Sequence, residues 1–397
     1  MTQVSNLLTR LRAIAIFRNL LADPVVESLC VLLEKLEQHA PQEIASAYGA
    51  FVSRLYLSGD GNLGRYLQNA VEGDENAYVR AVGRGVTPPE YMTRCLEMEL
   101  ETLQAAASLS AADLRAGMEF LPDFGSEEAR LADGYRRRLK ALGQYGYGIY
   151  ARHYMFYLAA QGGIVPVVHP DGTRLSELVD YQREKQLILD NTRALLAGRP
   201  AANVLLTGDA GTGKSSTVKA VVNELHQEGL RIIEVRRDQL WGLPAILDEL
   251  SENPLKFILF IDDLSFQKGD DNYSSLKAVL EGSVSAKSRN VVIYATSNRR
   301  HLVKESFSDR EGDDVHRSDT MQELISLSDR FGLQITFQKP NKAEYLHIVR
   351  HLADAAGVGM ERSRLEELAE RFALGRGGRS CRAARQFVES LAAAGEC

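Results

Sequence analysis

At 397 residues the chain has room for two or three domains, each with its own core. Hydrophobic residues at 45% and charged residues at 25% are ordinary for a soluble globular protein. A formal net charge of -6 excludes general attraction to nucleic acid or to an anionic membrane, while leaving room for a local basic patch.

The chain opens on "MTQVSNLLTRLRAIAIFRNLLAD", where apolar residues at helical spacing are broken by Arg10, Arg12 and Arg18. That pattern predicts an amphipathic helix, since a secretory signal needs an uninterrupted apolar stretch. Helical periodicity continues to about Leu158, as in "PQEIASAYGAFVSRLYL", with breaks at "GDGNLG", "GRGVTPPE" and "LPDFGSEE". No motif in this region carries chemistry, so residues 1–161 read as a helical N-terminal domain. The most apolar stretch, "YMFYLAAQGGIVPVV", is interrupted by Gln161, Gly162, Gly163 and Pro166 and is too short to span a bilayer. Cys30, Cys95, Cys381 and Cys397 have no CxxC spacing and read as buried or idle thiols. Together these features predict a cytoplasmic protein with no membrane partner.

"GGIVPVVHPDGT", residues 162–173, reads as a linker. Beyond it the rhythm changes: "NVLLTG", "LRIIEVRR", "KFILFIDD", "NVVIYATS" and "LQITFQK" are short Val-, Ile- and Phe-rich runs, most of them separated by helical stretches. This predicts an α/β fold, a doubly wound parallel sheet covered on both faces. After Pro340 the pattern returns to helix.

The first of these runs meets "GDAGTGKSS". Gly208, Gly213, Lys214 and Ser215 satisfy G-x-x-x-x-G-K-[ST], with Asp209, Ala210, Gly211, Thr212 and Ser216 completing the loop. Glycines let the backbone curl so that its N–H groups face phosphate oxygens, and the helix opening near Lys214 adds its positive end. Lys214 would reach the β- and γ-phosphates, and the Ser215 hydroxyl would ligate Mg²⁺. The third run delivers Asp262 and Asp263 to its C-terminal edge, the former to hold Mg²⁺ through water and the latter to polarise an attacking water. The fourth ends in Thr296, Ser297 and Asn298, whose amide would orient that water.

In this order the motifs "LTGDAGTGKSS", "FILFIDDL", "IYATSN", "SLSDRFGLQITFQKP" and "GGRSCRAARQFVE" resemble an AAA+ P-loop ATPase module. The resemblance implies strand order 5-1-4-3-2, a nucleotide-binding core over residues 174–339, a helical lid over 340–397, and ATP with Mg²⁺ as cofactors. It also implies that Arg330 acts as an arginine finger on a neighbouring subunit, so that the protein works as a homo-oligomeric ring or filament. Arg382 matches the second sensor on the lid, with Arg379 as the alternative. The segment "RLSELVDYQREKQLILDNTRALLAGRPAANVLL" resembles the stretch that lies over adenine. Over residues 170–397 the wording is similar to a bacterial ATP-binding family catalogued as a domain of unknown function, and "DRFG" with the paired Asp resembles the replication initiator and helicase-loader branch. The resemblance implies ATP hydrolysis acting on a protein or nucleoprotein client, with a non-hydrolysing switch and a P-loop kinase as alternatives.

Three further patterns have simpler readings. Arg376, Arg379, Arg382 and Arg385 recur at three-residue spacing, as a nucleic-acid stripe would, but a sensor arginine with solvated neighbours accounts for them. His347 and His351 lie one helical turn apart without a third zinc ligand and read as a surface pair. The charged stretch 304–323 reads as a mobile loop.

Overall fold

The computed structural model describes residues 3–38, 40–127, 129–265, 271–281, 289–298 and 327–394, so the charged stretch 304–323 lies outside the described residues. Two units divide the chain, Met1–Arg152 with Glu252–Leu255, and His153–Ser251 with Lys256–Cys397.

The first unit is helical. Its longer helices are α1 (Gln3–Arg12), α2 (Pro24–Gln38), α3 (Pro41–Leu57), α4 (Leu63–Glu72), α5 (Ala77–Gly83), α6 (Glu90–Ala107) and α7 (Leu131–Lys140). The polar breaks in the sequence become their caps. Asn62, within "GDGNLG", accepts the Arg65 N–H at 2.9 Å to start α4, and Asn76 accepts the Val79 N–H at 2.9 Å to start α5. Such caps contribute about 1 kcal/mol each. The apolar faces meet in a core that buries Phe17, Tyr48, Phe51, Leu55 and Tyr135, with Phe17 and Tyr135 edge to face at 5.2 Å. Burying one such side chain stabilises the fold by about 1.5–3 kcal/mol. Glu99, buried on α6, accepts backbone N–H bonds from Ala15, Ile16 and Phe17 at 2.7–3.2 Å and so ties down the chain after α1.

The second unit is built on a seven-stranded sheet of order β2-β1-β4-β5-β6-β3-β7. Its elements are β1 (Met155–Leu158), β2 (Ile164–Pro166), α8 (Gln182–Leu196), β3 (Val204–Gly208), α9 (Lys214–Leu225), β4 (Leu230–Glu234), α10 (Leu243–Ser251), β5 (Lys256–Ile261), α11 (Asp271–Glu281), β6 (Val291–Ser297) and β7 (Leu333–Phe337). All five expected strands form. They run β7-β3-β6-β5-β4, parallel throughout, which is the 5-1-4-3-2 order that the AAA+ resemblance implied. From β3 the chain crosses to β4 and then steps back through β5 to β6, and right-handed crossovers place the helices of opposite steps on opposite faces.

Two strands were not expected. Met155–Leu158, read as the tail of a helical stretch, pairs parallel with β4, and Ile164–Pro166, read as linker, pairs antiparallel with β1. A four-residue apolar run is too short for periodicity to separate helix from strand. Pro166 is tolerated because β2 stands at the sheet edge.

Strands β3 to β6 are almost wholly buried, and the sheet packs with Ile188, Leu195, Val218 and Val221 of α8 and α9. Inside that core the Tyr294 hydroxyl meets Thr192 Oγ1 at 2.8 Å and Asn191 Nδ2 at 3.0 Å, so this buried hydroxyl is paired. A lid of α12 (Lys342–Ala355), α13 (Arg362–Gly375) and α14 (Cys381–Ala393) has its own core around Tyr345, Val349, Ala369 and Phe387. Asn341 and Ser380 cap α12 and α14. Among the described residues no helix is long and apolar enough to cross a membrane.

Candidate functional site

The loop after β3 has the backbone that its glycines permit. Gly208 stands at φ +140°, and a Cβ there would lie 2.1 Å from the Phe337 carbonyl oxygen, so no other residue fits against β7. Gly213, at φ +95°, caps α9 and lets Lys214 open the helix. Lys214 is 5% exposed, and its ammonium donates to the carbonyls of Gly208 at 2.8 Å and Asp209 at 2.9 Å, and to Asn298 Oδ1 at 3.0 Å. Burial holds its pKa below the usual lysine value, against the opposing pull of Asp262, Asp209 and Asp263.

Parallel pairing brings the ends of β3, β5 and β6 together. Asp262 Oδ1 accepts two hydroxyls, Ser215 Oγ at 2.6 Å and Thr296 Oγ1 at 2.6 Å. Asp263 takes a left-handed backbone, φ +53°, donates its N–H to Thr296 Oγ1 at 2.9 Å, and accepts Asn298 Nδ2 on Oδ1 at 2.7 Å. That conformation is uncommon for a non-glycine residue, aspartate being among those that adopt it most readily. The Ser215 hydroxyl and the Asp262 carboxylate are hard oxygen donors already within reach of one another, a set that suits Mg²⁺. Among the described residues no group of three or more His, Cys, Asp or Glu could hold a metal ion.

A cleft of about 530 Å³ runs from the phosphate loop to the lid. Tyr181, Ile348 and Leu352 also line it and supply apolar surface. Tyr181, also left-handed at φ +54°, is fixed by its hydroxyl on the Gln338 carbonyl at 2.5 Å and by its ring 5.1 Å from Phe337. The start of α14 lies on the phosphate loop, where the Arg382 N–H donates to the Gly211 carbonyl at 3.1 Å.

Gly208 through Ser216, Asp262, Asp263 and Asn298 thus converge at one edge of the sheet. Arg382 and Arg385 line the same cleft, whereas Arg379 is held by Glu370 through two bonds of 2.8 and 2.7 Å. Arg376 stacks over Phe372 at 5.3 Å, so the four arginines have separate surroundings. Arg330 does not line the cleft and forms an ion pair with Glu281 at the end of α11. His347 pairs with Asp180 at 3.1 Å. Two contributors had no distinguishing sequence signal: Arg385, and Thr296, whose place at a strand end is ordinary turn chemistry.

The family described as Protein of unknown function (DUF815) matches residues 151–395. No curated protein matches the chain in sequence. Among solved structures, the RuvB Holliday junction branch migration motor of Thermotoga maritima is 20% identical at a TM-score of 0.36, the match covering 54% of this chain and 63% of that one. Two point variants of the same RuvB match at 19% identity and TM-score 0.37, and at 20% and 0.38, again over 54% of this chain and 63% and 64% of theirs. The chain therefore spans less than two thirds of the motor's length. With the match over residues 151–395 covering more than half of it, the chain belongs to the DUF815 family.

Proposed function

We propose that this protein is an Mg²⁺-dependent ATPase of the AAA+ type, which binds ATP between the phosphate loop and the lid and hydrolyses it. The observation that carries this reading is the Asn298 amide, joined at once to Lys214 and to Asp263 at the ends of β3, β5 and β6. With a triphosphate in the cleft, Lys214 exchanges its carbonyl partners for phosphate oxygens and offsets the charge that builds on them. Ser215 and Asp262 would hold Mg²⁺, which when bound neutralises the β- and γ-phosphates. Asp263 has one oxygen on Asn298; its other oxygen accepts a proton from the attacking water, which the same amide orients. Arg382, carried by the lid, reaches the γ-phosphate of its own subunit, and Arg330 that of a neighbour. Homo-oligomerisation, as a ring or filament, follows from that last role. The cycle would remodel or load a protein or nucleoprotein client.

A second reading, a switch that binds ATP and barely turns it over, is favoured by Asp263 itself. Its side chain is one methylene shorter than Glu, and Asn298 already holds it. Multiple-turnover phosphate release separates the two, measured with and without small acceptor molecules to test for a kinase. Wild type should release phosphate without an acceptor, and Asp263→Asn should bind Mg-ATP nearly normally yet turn over about 100-fold more slowly. Equal rates in the two proteins would remove Asp263 from the chemistry.

A further inference from the structure

We propose that Thr296 is the positioning residue of the hydrolytic site, a single hydroxyl that sets both strand-end carboxylates. The proposal rests on the ATPase reading above and deepens it. Thr296 lies on β6 and is 2% exposed. Its hydroxyl has no freedom of direction. The Asp263 N–H can only donate, so Oγ1 accepts it at 2.9 Å; the Asp262 carboxylate can only accept, so the hydroxyl proton points to its Oδ1 at 2.6 Å. The Thr296 carbonyl also accepts the Leu264 N–H at 2.7 Å. Three consecutive residues leaving β5 are thereby tied to one residue of β6.

The two donors on Asp262 Oδ1 differ in what they can afterwards do. Ser215 belongs to the phosphate loop, and its oxygen is needed by the metal, so its bond to Asp262 is exchangeable. Thr296 belongs to the sheet and its one hydroxyl proton is committed to Asp262, so it keeps Asp262 in place when Ser215 turns away. Its second bond draws the Asp263 amide toward β6. That bond holds the left-handed turn at φ +53° and delivers the Asp263 carboxylate to Asn298. One hydroxyl therefore couples the metal-holding carboxylate to the proton-accepting one.

The test uses the full chain with Thr296→Val, which keeps the shape and removes the hydroxyl, Thr296→Ala as a less crowded version, and Thr296→Ser as the rescue. Binding of a fluorescent ATP analogue is titrated with and without Mg²⁺, and phosphate release is followed at saturating Mg²⁺. Thr296→Val should keep its Mg²⁺-free affinity, need about 10-fold more Mg²⁺ for half-saturation, and lose about 10- to 100-fold in kcat with KM changed less than about threefold. Thr296→Ser should recover to within about threefold of wild type on both readouts. Wild-type Mg²⁺ dependence and kcat in Thr296→Val would overturn the proposal. So would a parallel loss of Mg²⁺-free affinity, or failure of both Val and Ala variants to fold, since either assigns the hydroxyl to stability alone. If wild type binds Mg²⁺-nucleotide without releasing phosphate, the ATPase reading fails, while the Mg²⁺ titration still decides for or against Thr296. If wild type binds no nucleotide, both fall.

Discussion

Lys214 and Asp263 are joined through one side chain: Asn298 Oδ1 accepts the lysine ammonium at 3.0 Å while Asn298 Nδ2 donates to the aspartate at 2.7 Å. The partners fix which end of the amide is which, because an ammonium has no acceptor and a carboxylate no donor. Asn298→Ala should leave ATP affinity within about threefold of wild type and reduce turnover by about 10- to 100-fold, since the bridge acts on the water and not on the nucleotide. Asn298→Asp should be worse, because a second carboxylate repels Asp263 and competes for Lys214. Single-turnover phosphate release after rapid mixing checks both. An unaltered rate for Asn298→Ala would take this amide out of the mechanism.

Burial lowers the Lys214 pKa below 10.5. The unfolded chain then binds this proton more tightly than the folded one. Between the folded pKa and 10.5 the folded state gains stability as pH rises, and it bears the full cost of the buried ammonium below that window. Triphosphate binding has the opposite preference and needs the charge. Affinity for a non-hydrolysable ATP analogue should accordingly fall as pH climbs, at a pH below the ordinary lysine value. Lys214→Arg should bind more weakly at neutral pH but stay flat over the same range, because a guanidinium keeps its proton. Calorimetric titration from pH 7 upward is the measurement, and parallel curves for the two proteins would refute the assignment.

How much of this was legible in the sequence follows from the distance between the groups involved. The phosphate loop is a local motif whose glycines and lysine are fixed by backbone geometry within nine residues. The Asp262–Asp263 pair could be read because an apolar run ending in carboxylates has one natural register. The edge strand at Met155–Leu158 could not, since four apolar residues fit a helix or a strand equally well, and its partner β4 lies far along the chain. Nor could Thr296 be distinguished from any hydroxyl at a strand end. Its importance arises when sheet pairing sets it against Asp262 and Asp263, 34 and 33 residues away. In the sequence Arg379 is the alternative to Arg382 for the second sensor. In the fold Glu370 engages the first and the phosphate loop meets the backbone of the second.

Cys381 begins α14 against the phosphate loop, with Sγ 3.7 Å from the Thr212 carbonyl. A helix N-terminus ordinarily activates a thiol. Here burial, with Asp180 adding to it, outweighs that and pushes the pKa up to about 11. At pH 8 its thiolate fraction should therefore be about 100-fold below that of an ordinary thiol of pKa 9.0. In a chain with Cys30, Cys95 and Cys397 replaced by Ser, iodoacetamide should modify Cys381 slowly, and a bound ATP analogue should slow it further. Rapid modification insensitive to nucleotide would contradict the placement of this residue in the cleft.

The helical unit offers a prediction independent of nucleotide. Glu99→Ala removes the acceptor for the Ala15, Ile16 and Phe17 amides, leaving up to three donors of a half-buried turn without a partner. The turn should open more readily by about 2–4 kcal/mol. Amide exchange at these positions should accelerate by about 10²-fold or more, with phosphate-loop protection unchanged. Glu99→Gln, which keeps an acceptor but loses the charge, should fall between the two. Uniform exchange across the three proteins would mean that Glu99 does not hold the turn.

Arg330 forms an ion pair with Glu281 in the single chain, and the proposal is that a neighbouring subunit's γ-phosphate takes Glu281's place. The guanidinium is part-exposed, and the Glu281 pair it would give up is worth on the order of 1 kcal/mol. A finger that stabilises charge developing in the transition state is worth far more. Arg330→Ala should therefore bind ATP near wild type and hydrolyse it about 10³-fold more slowly or worse. Because the residue acts across an interface, mixing it with excess Asp263→Asn should restore part of the activity, when one junction pairs an intact Asp263 with a donated Arg330. The rescue should vanish at dilutions where the protein is monomeric. Glu281→Ala provides the control: it removes this partner, keeps the guanidinium and should leave turnover at saturating protein concentration unchanged. The ring reading fails if Arg330→Ala turns over at the wild-type rate. It fails equally if the wild-type specific rate is independent of protein concentration and no assembly forms in ATP; the nucleotide switch then becomes the better account of this site.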